Sequence, residues 1–156
     1  MRLCLPLAFP VVLLALTGCA SRLPTALQDI AGVRASDEEQ IAALLNDVQR
    51  GFESRRIYKV LAHIAPGYQD ANRRDYQTAR EDLRRFFEEY RTVRITRVGP
   101  RVVVQGNHAR AIEAFGAVAE PQDPSAHLPI SIQGQIEIYL EKMAGTWQIT
   151  GWKSTG

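Results

Sequence analysis

From Ile130 to Lys142 the chain reads I-S-I-Q-G-Q-I-E-I-Y-L-E-K. Ile130, Ile132, Ile136, Ile138 and Leu140 share one face, and Ser131, Gln133, Gln135, Glu137, Tyr139 and Glu141 share the other. A period of two held this long predicts a strand packed on one side only. Met143-Ala144-Gly145-Thr146 predicts a turn, and Trp147 to Lys153 the return strand of a hairpin. The apolar face of that hairpin has to be covered, and the segments able to cover it lie upstream.

Ser36-Asp37-Glu38-Glu39 has the residues of a capping box, and Ile41, Leu44, Leu45, Val48 and Phe52 follow at helical spacing. A short second helix carries Ile57, Val60, Leu61 and Ile64 and ends at Pro66-Gly67. Tyr68-Gln69-Asp70 is too short to classify by pattern, and 71–74 is polar loop. Thr78-Ala79-Arg80-Glu81 is a second capping box, with Asp75 as the other available cap, and it opens a helix over 78–91 with Leu83, Phe86, Phe87 and Tyr90 on one side. Strand signals follow around Val93 and Ile95, over Arg101–Gln105 and over Ala109–Glu120, with turns at Gly99-Pro100 and Gly106-Asn107. In the last of these Ile112, Ala114, Gly116 and Val118 lie on one face and Glu113 and Phe115 on the other, and Gly116 suggests a bend or bulge. The expected order is three helices, then a series of antiparallel strands of which the last three are long. Helices gathered on one face of a strongly curved antiparallel sheet make an α+β fold, cone-shaped with an open mouth.

The N-terminus has a different character. Met1-Arg2 is followed by an apolar run from Leu3 to Leu16. It is shorter than the roughly 20 residues that span a bilayer as a helix and suits a secretion signal. Its end, Leu16-Thr17-Gly18-Cys19, resembles the lipobox of bacterial lipoproteins. The resemblance implies cleavage before Cys19 and acylation of its thiol and new amino group, so Cys19 is the expected lipidation site and its contact the lipid bilayer. With Ala20 rather than Asp after the cysteine, it also implies the outer membrane, facing the periplasm. The expected organisation is a signal peptide over 1–18, the lipidated cysteine and a flexible tether over 19–35, and one domain over 36–156. Cys4 leaves with the signal, so neither a disulfide framework nor a cysteine zinc site is expected.

The formal net charge is +2, but the basic residues cluster. Nine arginines fall between Arg73 and Arg101, against the five acids Asp75, Glu81, Asp82, Glu88 and Glu89. Such a patch is compatible with nucleic acid in principle, but the export signal argues against it, and no nucleic acid is expected. A solvated helix face with Arg–Glu pairs, or a surface for an acidic partner or anionic lipid, remain the readings.

The order of elements over Ser36 to Lys153, with Tyr68-x-Asp70 after the second helix and a terminal meander ending Gly145-Thr146-Trp147-Gln148-Ile149, resembles the nuclear transport factor 2-like superfamily. Its relatives include ketosteroid isomerase, scytalone dehydratase and polyketide cyclases, and the fold hosts enzymes, binding modules and dimerisation modules alike. The resemblance implies a general base at Asp70, where the isomerase carries its aspartate, with a modestly raised pKa. It also marks two departures. Val48 stands near the isomerase's oxyanion-hole tyrosine, and Glu137, near its second acid, falls on the polar strand face. The other reading of Asp70 is a cap for backbone N–H groups of its own loop.

Tyr68, Tyr90 and Phe115, with Asp70, are expected to face an opening and contact a hydrophobic small molecule. Trp147, beside the terminal turn, is expected in the core. His63 reads as a half-buried packing residue, His108 and His127 as solvated, and the three histidines lack metal-ligand spacing. No metal and no cofactor are expected. The polar face of Gln133, Gln135, Glu137 and Tyr139 is either solvated or the surface of a homodimer. The expectation for function is an outer-membrane lipoprotein whose domain is a non-catalytic small-molecule-binding or protein-interaction module. The alternative is a small isomerase or dehydratase using Asp70 on a hydrophobic substrate.

Overall fold

A computed structural model describes residues 35–155. The expected signal peptide, the Cys19 lipidation site and nearly all of the tether lie outside the described residues.

Three helices come first, α1 (Asp37–Glu53), α2 (Ile57–Leu61) and α3 (Tyr76–Glu89). The capping box at the head of α1 is formed: Ser36 Oγ accepts from Glu39 N at 3.2 Å, and Glu39 Oε2 accepts from Ser36 N at 2.8 Å. α3 departs from expectation. Asp75, not Thr78, is its cap, accepting from Thr78 N at 2.9 Å, so the helix opens at Tyr76 and ends at Glu89. The Asp75 carboxylate takes the N–H of Thr78, its third helical residue, which places Thr78 inside the first turn rather than at the cap.

The strands are β1 (Tyr90–Arg97), β2 (Arg101–Gln105), β3 (His108–Pro121), β4 (Ile130–Met143) and β5 (Thr146–Ser154). They form one antiparallel sheet in the order β1-β3-β4-β5, with β2 also paired to β3. The five strands, one for each strand segment read from the sequence, occupy four lanes. β1 pairs with the C-terminal part of β3 (Arg97↔Phe115) and β2 with its N-terminal part (Arg101↔Ile112), so the two are one edge strand broken at Val98-Gly99-Pro100. Proline has no N–H for a ladder, which accounts for the break. β3 and β4 run in unbroken register from His108↔Glu141 to Ala119↔Ile130. The bulge suggested at Gly116 is therefore absent, and the register shifts lie between Tyr90 and Thr92 and between Tyr139 and Leu140. The β4–β5 turn is tight, with Ala144 and Gly145 both at positive φ (49° and 83°), as in the two-residue hairpin turns that match strand twist.

The sheet curves over the helices and its inner face is set by size. On β3 that face carries Ala109, Ala111, Glu113, Phe115, Ala117 and Ala119, opposite Leu140, Ile138, Ile136, Gly134, Ile132 and Ile130 of β4. Ile41, Leu44 and Leu45 of α1 pack on Ala109, Ala111, Ile138 and Leu140, together with Trp147 and Ile149. Trp147 is buried as expected, and its Nε1 donates to Asp37 Oδ1 at 3.0 Å, while Lys142 Nζ reaches the same oxygen at 2.6 Å. The first helix and the last hairpin are joined there.

The free edge of β5 is covered by 63–71. Ile149 N donates to His63 O (2.7 Å), Ala65 N to Ile149 O (2.9 Å), Gln69 N to Thr150 O (2.9 Å) and Ala71 N to Trp152 O (3.2 Å). This hides the sheet edge and gives Tyr68-Gln69-Asp70 the regular backbone partners that its own pattern does not announce.

Candidate ligand-binding cavity

Between the helices and the inner face of the sheet lies a cavity of about 480 Å³. Most of its wall is apolar, including Val48 and Phe52 of α1, Leu83 and Phe86 of α3, and Ile136 and Ile138 of β4. Its size and lining match sites that enclose small organic ligands. Ala117 and Ile132, a cross-strand pair, also line it, and Ile132 is 54% exposed, so the cavity opens past that pair.

The β5 bulge shapes one wall. Leu140 pairs with Ile149 and Tyr139 with Gly151, leaving Thr150 as the extra residue. Simple alternation would put Ile149 and Trp152 on opposite faces of the strand. The extra residue restores them to one face, and both line the cavity.

Two polar groups interrupt the apolar lining. The first is centred on Asp70, whose side chain is 2% exposed. Its Oδ1 accepts from Asn72 N (2.8 Å) and Arg74 N (2.9 Å), and its Oδ2 from Arg74 Nε (2.6 Å). Arg73, at φ 61°, folds the 70–74 turn that brings these donors round. Burial pushes the Asp70 pKa up, but the backbone and side-chain bonds from Arg74 and the Asn72 N–H outweigh it and hold the pKa below the ordinary 3.8. That is the opposite of the raised pKa implied by the isomerase resemblance. Arg74 also reaches Asp82 at 3.3 Å and lies 5.8 Å from the Trp152 ring centre. Tyr68, buried beside Asp70, has its phenol pushed up to about 12 by burial and by the Asp70 charge, against an opposing hydrogen bond with Trp152. The phenol is therefore a neutral donor at physiological pH.

The second polar group is a buried ion pair. Arg97 donates to Glu113 Oε2 from Nη2 (2.7 Å) and Nε (3.0 Å), and its Nη1 donates to Leu45 O at 2.7 Å. The side chains are 9% and 5% exposed, and both residues line the cavity. Sequence reasoning missed this pair and counted Arg97 in the basic patch. A signal existed: Glu113 interrupts the small apolar face of β3, and Arg97 continues the alternation of Val93 and Ile95 on β1.

Of the expected contact residues, Tyr68, Asp70 and Phe115 line the cavity and Tyr90 does not. Tyr90 stacks on Phe86 at 5.0 Å and donates through its hydroxyl to Leu128 O at 3.3 Å. The register shift at the start of β1 sets it there, because Tyr90 pairs with Pro121 beyond the cavity wall. Glu137 is on the outer face, buried between Lys153 (2.9 Å) and Arg110 (3.1 Å), which hold its pKa down in that order against burial. His63 is half-buried and bonds Asp47 at 2.8 Å, outside the cavity. Of the arginine-rich segment, Arg74 and Arg97 line the cavity, and Arg84, Arg85 and Arg91 sit within 4.0 Å of Glu88, Asp82 and Glu120. Among the described residues no three His, Cys, Asp or Glu side chains converge as for a metal ion.

No protein-family model and no curated protein sequence matches the chain. Solved structures do. A nuclear transport factor 2-like superfamily protein from Salmonella enterica superposes with a TM-score of 0.64 at 13% identity, over 76% of this chain and 89% of that one. A candidate scytalone dehydratase from Novosphingobium aromaticivorans gives 0.65 at 12% identity, over 85% and 87%. Bd1075 of Bdellovibrio bacteriovorus gives 0.61 at 14% identity over 74% of this chain, which spans only 38% of that protein. Likeness at these identities shows the fold, which is nuclear transport factor 2-like: α+β, three helices against a curved antiparallel sheet.

Proposed function

We propose that this chain is an outer-membrane lipoprotein, anchored through acylated Cys19 and facing the periplasm, whose domain binds a largely apolar small molecule without transforming it. The observation that carries the non-catalytic reading is the state of Asp70. A base that takes a proton near neutral pH works best with a pKa near the working pH, and three short hydrogen bonds hold Asp70 below 3.8 instead. The apolar cavity of about 480 Å³ is the feature that supports binding. The polar outer face of the sheet, around Gln133, Gln135 and Tyr139, is the surface through which two copies would pair.

One observation favours catalysis as a second reading. The neutral Tyr68 phenol stands beside Asp70 in the same cavity, a donor next to a carboxylate, as proton transfer beside a carbonyl requires. Asp70→Asn separates the two: it abolishes turnover in an enzyme and leaves ligand affinity nearly unchanged in a carrier.

Native mass spectrometry of the full chain, extracted in detergent from the membrane in which it matures, tests the proposal. The expected spectrum shows acyl mass on Cys19 and a non-covalent small molecule on the protein. A chain carrying neither, or a Cys19→Ser variant that still fractionates with the outer membrane, would overturn it.

A further inference from the structure

Glu113 has one oxygen engaged and one to spare. Both bonds from Arg97 end on Oε2, at 2.7 and 3.0 Å, and Oε1 has no hydrogen-bond partner among the described residues. Among the described residues no fully buried side-chain polar atom lacks a partner, so Oε1 retains access to solvent. The side chain is 5% exposed and lines the cavity. Glu113 stands on the inner face of the sheet, the face that bounds the cavity.

We infer that Glu113 Oε1 is the anchoring acceptor for the ligand, and that the ligand is an apolar body carrying one hydrogen-bond donor, an amine or a hydroxyl, rather than a carboxylate or other anion. The inference rests on the small-molecule-binding reading above and names its ligand class.

Three features point to a donor. A carboxylate oxygen can only accept, so its partner must bring an N–H or O–H. The charged groups lining the cavity are Asp70, Asp82 and Glu113 against Arg74 and Arg97, an excess of one formal negative charge, and the Tyr68 phenol adds none. The cations that would attract an anion are committed, Arg74 to Asp70 and Asp82, and Arg97 to Glu113 and the Leu45 carbonyl. A ligand carboxylate would meet the cavity's excess charge with no free cation, whereas an amine or hydroxyl would complete Glu113. In a largely apolar enclosure such a contact discriminates strongly, because the wrong head group leaves a desolvated oxygen unpaired.

The test uses three probes with one apolar body, 1-adamantanemethylamine, 1-adamantanemethanol and 1-adamantanecarboxylate. They are titrated calorimetrically into the full chain in lipid nanodiscs, with empty nanodiscs as the blank. On the native chain the amine should bind at least about tenfold more tightly than the carboxylate, with the alcohol between them, as one charge-assisted hydrogen bond allows. Glu113→Gln keeps the side-chain shape and an acceptor for Arg97 but replaces the charged oxygen. It should bring the amine and carboxylate to within about twofold of each other. Equal binding of the three probes by the native chain, or preference for the carboxylate, would overturn the inference while leaving a binding cavity. Persistence of the amine preference in folded Glu113→Gln would do the same. The native-chain comparison stands even if that variant fails to fold. No binding of any probe would overturn the binding reading itself, and the assignment of Glu113 with it.

Discussion

Gly151 of β5 lies directly beneath the Gln69 carbonyl: a Cβ at position 151 would stand 2.5 Å from Gln69 O. That approach lets 63–71 run along the β5 edge and delivers Tyr68 and Asp70 to the cavity wall. Gly151→Ala forces backbone to move, since no flexible side-chain end is there to yield. A cost of about 1–3 kcal/mol is expected, as for other overpacked sites. Urea unfolding read by circular dichroism gives the number, and a midpoint equal to the native one would show that the two segments are not clamped.

The Arg97–Glu113 pair is held in a region where one charge cannot stand alone. Arg97→Met should destabilise by about 3–5 kcal/mol, because Glu113 is left buried without its cation. The double variant Arg97→Met/Glu113→Met should regain most of that loss, since removing both charges removes the uncompensated one. A double-mutant cycle in denaturant reads the coupling. Additive losses would mean that the two side chains do not depend on each other.

Acid should unfold the domain through its carboxylates. Asp37 is held low by Lys142 and Trp147, Asp47 by His63 and Arg50, and Asp70 by the Arg74 and Asn72 bonds that overcome its burial. A carboxylate whose folded pKa lies below its unfolded value stabilises the fold above the unfolded value, and that contribution disappears as pH falls through the folded pKa. Stability from these groups should therefore be level above about pH 5 and fall progressively below about pH 4. Unfolding midpoints taken from pH 7 to pH 2 check the direction, and a rise on acidification would contradict it.

The cavity mouth offers a steric test. Ala117 lines the opening opposite Ile132, and an indole there would occupy the entry. Ala117→Trp should weaken 1-adamantanemethylamine binding by at least about tenfold while the thermal midpoint stays close to native. Unchanged affinity would place the entrance elsewhere.

Much of this domain is legible in local chemistry. The alternation in β4, the Ser36 capping box and the Ala144-Gly145 turn each depend on neighbours within a few positions, and each is formed as its residues predict. A helical stripe or a period of two identifies an element and divides its faces. It does not say which face another segment covers, or which strand lies alongside. The tertiary structure alone decided that the alanine face of β3 is the inner one, that Arg97 and Glu113 meet within it, that the β5 bulge turns Ile149 and Trp152 to one wall, and that Tyr90 is turned away. These are matters of register between segments distant in the chain, and a shift of one residue would exchange every face. Asp70 joins the two levels: its place after the second helix is visible in the sequence, but its lowered pKa comes from how the 70–74 turn folds Arg74 back onto it.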